Sequence, residues 1–393
     1  MIQSGRGAAV APLFSSIDTR ERTDSMTRQL VYVGTYSEPI LFGTGQVLDG
    51  KGKGIYSFAF DSAAGALAVV GVTVGVRNSS YLAFDPARRF LFCVNEFKEF
   101  EGKASGAVSA FRIDRETGAL HHLNTRASHG TDPCHLVVDA TGRFVLVANF
   151  ASGSVSVLPV GPDGMLGEAS CIVQHAGSSI DPRRQSGPHA HAVTIDRANR
   201  YVFVPDLGLD KVVIYAFDAA TGKLIPNANQ PWVATAPGAG PRQMVMHPGG
   251  AFAFLINELD STMTAYRYDS ETGSLQELQT LPTLPAGFSG FSTCAEVQIA
   301  PSGRFLYGSN RGHDSIAIYS IDQTTGRLTA LGHESTRGQI PRNFEISPDG
   351  AFLAAANQDS NSVVMFRIDR DTGLLAPTGN VVEAGTPICV RFM

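Results

Sequence analysis

The chain has 393 residues, 43% apolar and 17% charged. Its 31 Lys+Arg against 36 Asp+Glu give a formal charge of −5, without the basic excess that nucleic acid or an anionic membrane surface requires of a partner. No run approaches the roughly 20 apolar residues of a membrane-spanning helix, and 41 Gly with 21 Pro point to many short elements joined by turns.

Residues 1–27 hold a short apolar run, 8–14, interrupted by Pro12 and followed by a polar, charged stretch. This reads as a disordered extension, better than as a signal peptide, with Met26 as an alternative start. From residue 28 onward a single domain is expected. The first element in it is a β-rich run over 30–35, followed by a glycine- and lysine-rich insertion over 38–53; a second insertion, 98–105, follows the next such run.

Downstream the chain repeats itself. A Thr-Gly-like turn between two β-rich runs recurs with its glycine at Gly65, Gly118, Gly164, Gly222, Gly273, Gly326 and Gly373, so each unit is near fifty residues long. A tight hairpin needs a residue that tolerates positive φ, which accounts for the glycine. Upstream of it lies a second turn, DPARRF, DATGRF, DRANRY, HPGGAF, APSGRF and SPDGAF, in six copies. Each unit therefore reads strand A, Asp-Pro-type turn, strand B ending at an Asn, strand C, Thr-Gly turn, strand D.

The seventh strand A is missing from its place and is found at the C-terminus, where Thr386-Pro387-Ile388-Cys389 resembles the openings Asp132-Pro133-Cys134-His135 and Gly240-Pro241-Arg242-Gln243. The expected fold is all-β: a closed seven-bladed β-propeller, four antiparallel strands per blade, with the C-terminal strand pairing into the N-terminal blade. Cys93, Cys134, Cys171, Cys294 and Cys389 are odd in number and show no CxxC spacing, so buried free thiols in a reduced, cytoplasmic protein are expected.

Antiparallel order brings the start of strand A and the end of strand B to one mouth of the central channel. Aligned on the A–B turn, the first position of strand A reads Ser80, Cys134, His191, Arg242, Ala295, Arg342 and Ile388; the next reads Tyr81, His135, Ala192, Gln243, Glu296, Asn343 and Cys389. Strand B ends on Gly34, Asn95, Asn149, Asp206, Asn257, Asn310 and Asn357, followed by Thr35, Glu96, Phe150, Leu207, Glu258, Arg311 and Gln358. The Asn column has an ordinary structural reading as a strand end. The neighbouring columns do not, because their residues change from blade to blade while converging on one opening. Several arginines with a His and a Glu at a concave mouth make an anion site with acid/base groups.

The segments GPHAHAV, GPRQMVMHP, INELDS, LYGSNRGHDSIAIYSID and IPRNFEISPDGAFLAAANQ, with VYVGTY at the start, resemble the lactonase family of seven-bladed propellers. That family includes bacterial propeller-type 6-phosphogluconolactonases and fungal carboxy-cis,cis-muconate cyclases, and the resemblance runs over 31–392. It implies a functional set of histidine, arginine, glutamate and second arginine, which fall here on His191, Arg242, Glu258 and Arg311, with Arg342 as a further anion ligand. Further substrate-binding candidates are Gln243, Gln358, Asn257 and Asn310, together with His189, which shares the GPHAH segment, and His135 and Glu296, which face either the channel or a blade interface.

Opening a lactone requires an activated water, stabilisation of the developing oxyanion, and cationic donors for any phosphate or carboxylate. Either Glu258 or His191 serves as the base. The expected partner is a small anionic or sugar lactone, with no cofactor, no nucleic acid and no membrane, on a monomer or weak homo-oligomer. No metal is expected either: Glu258, Asn257, Asn149 and Asp206 offer oxygens for calcium, but the interspersed arginines oppose a bound cation. The substrate implied is 6-phosphogluconolactone or, given Gln243, GPHAHAV and the TGQVLDGKGKG insertion, an unphosphorylated aldonolactone. The rival readings are lactonising cycloisomerisation of a carboxymuconate and a non-enzymatic binding scaffold. Both insertions are expected to overhang the mouth and shape substrate choice.

Overall fold

Each repeat folds into a four-stranded antiparallel sheet, and seven such sheets form the expected propeller. The computed structural model describes residues 29–42 and 45–393; the extension expected over 1–27 lies outside them. Among the described residues there is no helix. Blade 1 takes its strand A from the C-terminus: Pro387–Phe392 pairs with Gln29–Thr35, with Val31 opposite Phe392 and Val33 opposite Val390. Blades 2 to 7 follow in sequence order, and blade 4 carries one extra outer strand, Trp232–Ala234, against Lys211–Asp218.

The core lies between blades. The B and C strands are apolar on both faces because each sheet is sandwiched by two neighbours: Phe203, Ile214 and Leu255 join blades 4 and 5, and Phe305, Ile318 and Phe366 join blades 6 and 7.

The two sequence signatures form one joint. The aromatic that ends the Asp-Pro-type turn packs on the hairpin glycine of the adjacent blade. A Cβ built on Gly222 would stand 2.3 Å from a ring carbon of Phe144, and one on Gly65 would stand 2.1 Å from Phe352, which locks blade 1 to blade 7. These glycines also hold φ of 68° and 66°. Space and backbone both demand glycine, so Gly222→Ala is expected to destabilise the protein by about 2–4 kcal/mol through left-handed strain plus overpacking. Denaturant titration with an unchanged m-value checks this.

The mouth is shaped by a defect repeated in the sheets. At the start of strand A the register slips by one residue between Ser79 and Tyr81, Pro133 and His135, Pro241 and Gln243, and Pro341 and Asn343. The extra residue in each bulge is Ser80, Cys134, Arg242 or Arg342, the first-column residue of the repeat alignment. A bulge turns its surplus side chain out of the pleat, which here aims it at the channel axis.

Candidate active site

Blade 5 places Glu258 one residue beyond Asn257, at the end of Phe252–Asn257, with its backbone N–H donating to Gly240 O at 2.7 Å. The Glu258 side chain is 5% exposed and gathers the site around it. Its Oε2 accepts from Arg242 Nε at 3.0 Å and lies 2.9 Å from Arg311 Nη2; its Oε1 accepts from Arg184 Nη2 at 2.7 Å. His191 Nε2 stands 3.7 Å from Oε2. The four residues His191, Arg242, Glu258 and Arg311, drawn from blades 4, 5 and 6, therefore meet. Arg242 and Arg311 are fixed further by donating to the carbonyls of Ala295 and Cys294.

Burial would push Glu258 up, but Arg311, Arg184, His191 and Arg242 together hold its carboxyl well below the usual range. Burial and then the Arg242 charge hold His191 well below the ordinary imidazole value, against the opposing pull of Glu258. At neutral pH the site thus contains an ionised carboxylate and a neutral imidazole. Cys134 lies beside them, its Sγ 3.7 Å from His191 Nδ1, but burial pushes this thiol well above its usual range and it donates to His191 O at 3.2 Å. It is a packing thiol, not a thiolate nucleophile.

Cys134, Arg184, His191, Glu258 and Arg311 line a cavity of ≈ 260 Å³ together with Glu96, Phe150, Arg342 and Gln358, while Arg242 lies deeper, bordering a small chamber beneath it. That volume lies at the low end for ligand sites and suits a small molecule. The insertion over 38–53 overhangs it, as expected: Ile40–Leu41 and Val47–Leu48 form a hairpin whose Ile40, Leu41, Phe42 and Leu48 wall one side. The insertion over 98–105 does not line the cavity; it reaches the site through Lys98, which is ion-paired to Asp132.

Arg342 differs from the other arginines. Its guanidinium stacks 5.2 Å from the Phe42 ring centroid and 5.6 Å from that of Tyr36. Among the described residues no carboxylate oxygen lies within salt-bridge distance of it. Two residues upstream, Ile340 holds a φ of 56° at about 1–2 kcal/mol of strain, and Asp314 accepts its N–H at 2.8 Å.

The remaining sequence candidates divide by depth. Gln358 lines the cavity and its Oε1 is buried without a partner among the described residues. His135, Gln243 and Glu296 face the channel and not a blade interface, but lie below the mouth, around a chamber of ≈ 20 Å³. There Gln243 and Asn343 donate to the two oxygens of Glu296, whose carboxyl burial pushes up to about 6, and this lattice ties blades 5, 6 and 7 together. His189 stands behind the site, stacked on Phe150 at 4.6 Å with its ring Nδ1 3.0 Å from Phe150 O. Asn257 and Asn310 do not reach the cavity. Asn257 donates to Thr262 and Thr264 in its own blade, and Asn310 to Ser315 in its own blade and to Thr283 O at the end of blade 5, so both pin strand ends.

Sequence reasoning missed Arg184 and passed over Glu96. Arg184 sits in the loop between blades 3 and 4, where the interval from Gly164 to Gly222 is the longest in the repeat series; that length, with Asp181-Pro182-Arg183-Arg184 just ahead of a mouth-facing strand, was an available signal. Glu96 occupies in blade 2 the register of Glu258 in blade 5. Its Oε2 accepts from the Tyr36 hydroxyl at 2.9 Å.

Residues 30–392 match the family model described as a lactonase, seven-bladed β-propeller. The chain belongs to this lactonase family. Among its lactonase relatives, the 6-phosphogluconolactonase of Bacillus subtilis is 33% identical over 319 residues, covering 81% of this chain and 85% of that protein. That of Formosa agariphila is 34% identical over 295 residues, covering 75% and 82%. The structure of the periplasmic gluconolactonase of Pseudomonas aeruginosa superposes with a TM-score of 0.85 at 33% identity, covering 93% of this chain and 99% of that one.

Proposed function

We propose that the protein hydrolyses a sugar lactone, 6-phosphogluconolactone or a close aldonolactone, at the Glu258 mouth of the channel. The observation that carries the reading is the neutral imidazole of His191 beside a Glu258 carboxylate that is tied to three guanidiniums, in a cavity of small-ligand size. The lactonase relatives named above support the reaction class.

His191 acts as the base. Both oxygens of Glu258 are engaged by guanidiniums, whereas the neutral imidazole keeps a lone pair for the proton of water, and the Glu258 charge offsets part of the cost that burial and Arg242 put on its protonated form. Water attacking the lactone carbonyl gives its proton to His191, and the Glu258 charge at 3.7 Å steadies the imidazolium that results. Arg311 takes the developing oxyanion: it lines the cavity with its guanidinium already fixed by Glu258 and the Cys294 carbonyl. Glu258 orders these arginines, and Arg184 closes the cluster from its loop. Arg342, without a carboxylate at salt-bridge distance among the described residues and fixed beside two rings, receives the phosphate or a sugar oxygen, and Gln358, which also lines the cavity, meets a sugar hydroxyl.

The purified protein is expected to turn over glucono-δ-lactone and its 6-phosphate, unchanged by chelator, with His191→Ala lowering kcat by about 10²–10⁴-fold. Arg342→Gln should raise KM for the phosphorylated lactone about tenfold more than for the neutral one, the value of one charge-assisted contact near 1.4 kcal/mol. Absence of turnover on both lactones in a pH-stat assay would refute the reading, and an equal KM change on both would remove Arg342 from phosphate recognition.

A further inference from the structure

Ring opening needs a proton as well as a base. The leaving group is an alkoxide of the sugar ring, and the arginine cluster supplies none. A ring of seven sheets sets blade 2 across the channel from the junction of blades 5 and 6, so Glu96 faces Glu258 and Arg311 over the mouth. The two glutamates hold one register, each following the Asn that ends strand B.

Their surroundings drive them apart. Glu258 has guanidinium nitrogens on both oxygens. Glu96 has none within salt-bridge distance among the described residues; it is 5% exposed, accepts from the Tyr36 hydroxyl at 2.9 Å, and borders both the cavity and the chamber beneath it. The groups facing it are Arg342 from blade 7, Asp132 and Cys134 from blade 3, Tyr36 from the segment after strand B of blade 1, and Ser80 from its own blade. Burial pushes its carboxyl up, Arg342 opposing. Two like groups at one site, pushed in opposite directions by their surroundings, are the arrangement that acid and base roles require.

We propose that Glu96 is the general acid that protonates the leaving ring oxygen, an assignment that rests on the lactonase reading above. As the bond from carbonyl carbon to ring oxygen breaks, its electron pair takes the Glu96 proton, while the proton of the attacking water goes to His191. Solvent at the open mouth then takes the proton from the imidazolium and returns one to the Glu96 carboxylate, so water and lactone account for every atom of the hydroxy acid.

The test separates an acid from a packing residue by the leaving group. Glu96→Gln is compared with the intact protein on glucono-δ-lactone, which expels an alkoxide, and on dihydrocoumarin, which expels a phenolate stable without a proton. Expected is a loss in kcat of about 100-fold on the first and less than about threefold on the second, because protonation by a positioned group contributes about 10²–10⁴-fold where it is needed. The fall of kcat/KM at high pH, caused by ionisation of Glu96, should also vanish in Glu96→Gln, and Glu96→Asp should recover part of the lost rate. Equal losses on both lactones, full activity of Glu96→Gln, or a retained alkaline fall would overturn the assignment. Should the intact protein accept only the first lactone, the pH profile decides. Inactivity of the intact protein on every lactone fails the lactonase reading, and this assignment with it; activity of the intact protein matched by Glu96→Gln fails the assignment alone.

Discussion

A chain ending at Thr386 is expected not to reach a cooperative native state. The lost segment is strand A of blade 1, Pro387–Phe392, and its Ile388, Cys389, Val390 and Phe392 are each at most 3% exposed. At about 1.5–3 kcal/mol for each large buried apolar side chain, the deletion removes about 5–10 kcal/mol, as much as the whole stability of many domains. It also opens the ring on both sides. The Val390 N–H donates to Asn343 Oδ1 and the Phe392 N–H to Glu345 Oε2, both at 2.8 Å, which ties the strand to blade 7; Arg391 stacks 4.4 Å from the Tyr81 centroid in blade 2. Gln29–Thr35 would be left as a long, apolar, unpaired edge, the kind that recruits other chains. Soluble yield, size-exclusion profile and thermal unfolding read the outcome, and a permuted chain with 386–393 linked ahead of Gln29 should fold. A truncated monomer with an unchanged, cooperative melt would show that ring closure contributes little.

The architecture was legible because it is periodic. Seven glycines and six Asp-Pro-type turns fix the blade length, and the displaced strand at Pro387 fixes the closure; what the sequence could not reveal was that the glycine and the turn aromatic touch, since Gly222 and Phe144 lie 2.3 Å apart in the sense of a built Cβ but far apart along the chain. The site was legible to the degree that it obeys the same period. Register separates the two histidines of GPHAH: His191, not His189, holds the first position of strand A, and His191 meets Glu258. Arg184 escaped because an insertion has no repeat position, so nothing in its spacing says that it folds back 2.7 Å from Glu258. Asn257 and Asn310 were over-read for the converse reason: a type held constant around the ring is what the strand ends need, whereas the substrate needs residues that vary. Depth was also hidden. First and second columns differ by one residue in sequence, yet the bulge sends Arg242 to the carboxylate cluster and Gln243 into the lattice around Glu296.

Glu258→Gln is expected to cost both activity and stability, and by more than any other single change at the mouth. The substitution keeps shape and removes charge, leaving Arg184, Arg242 and Arg311 close together with no compensating anion. Arg242 and Arg311 side chains are 6% and 12% exposed, so solvent compensates them poorly; breaking a buried pair in this way typically costs about 3–5 kcal/mol. The arginines should separate, withdrawing the oxyanion donor and the charge that steadies His191, and a loss in kcat of about 10³-fold follows if each contributes as such groups do elsewhere. The pH dependence has a definite sign. The folded carboxyl lies well below its unfolded value near about 4.3, so its ionised form stabilises the fold fully above that value, and the contribution disappears as pH falls toward the folded value. Glu258→Gln should therefore lower stability most at neutral pH and flatten the acid limb of the stability curve. Adding Arg184→Gln should restore part of the stability without the activity, because it removes one unpaired cation but no charge on the substrate side is regained. Chemical denaturation from pH 3 to 8, beside single-turnover rates, measures both; a Glu258→Gln protein as stable as the original at neutral pH would mean that the arginines find other partners and that this carboxylate does not organise the site.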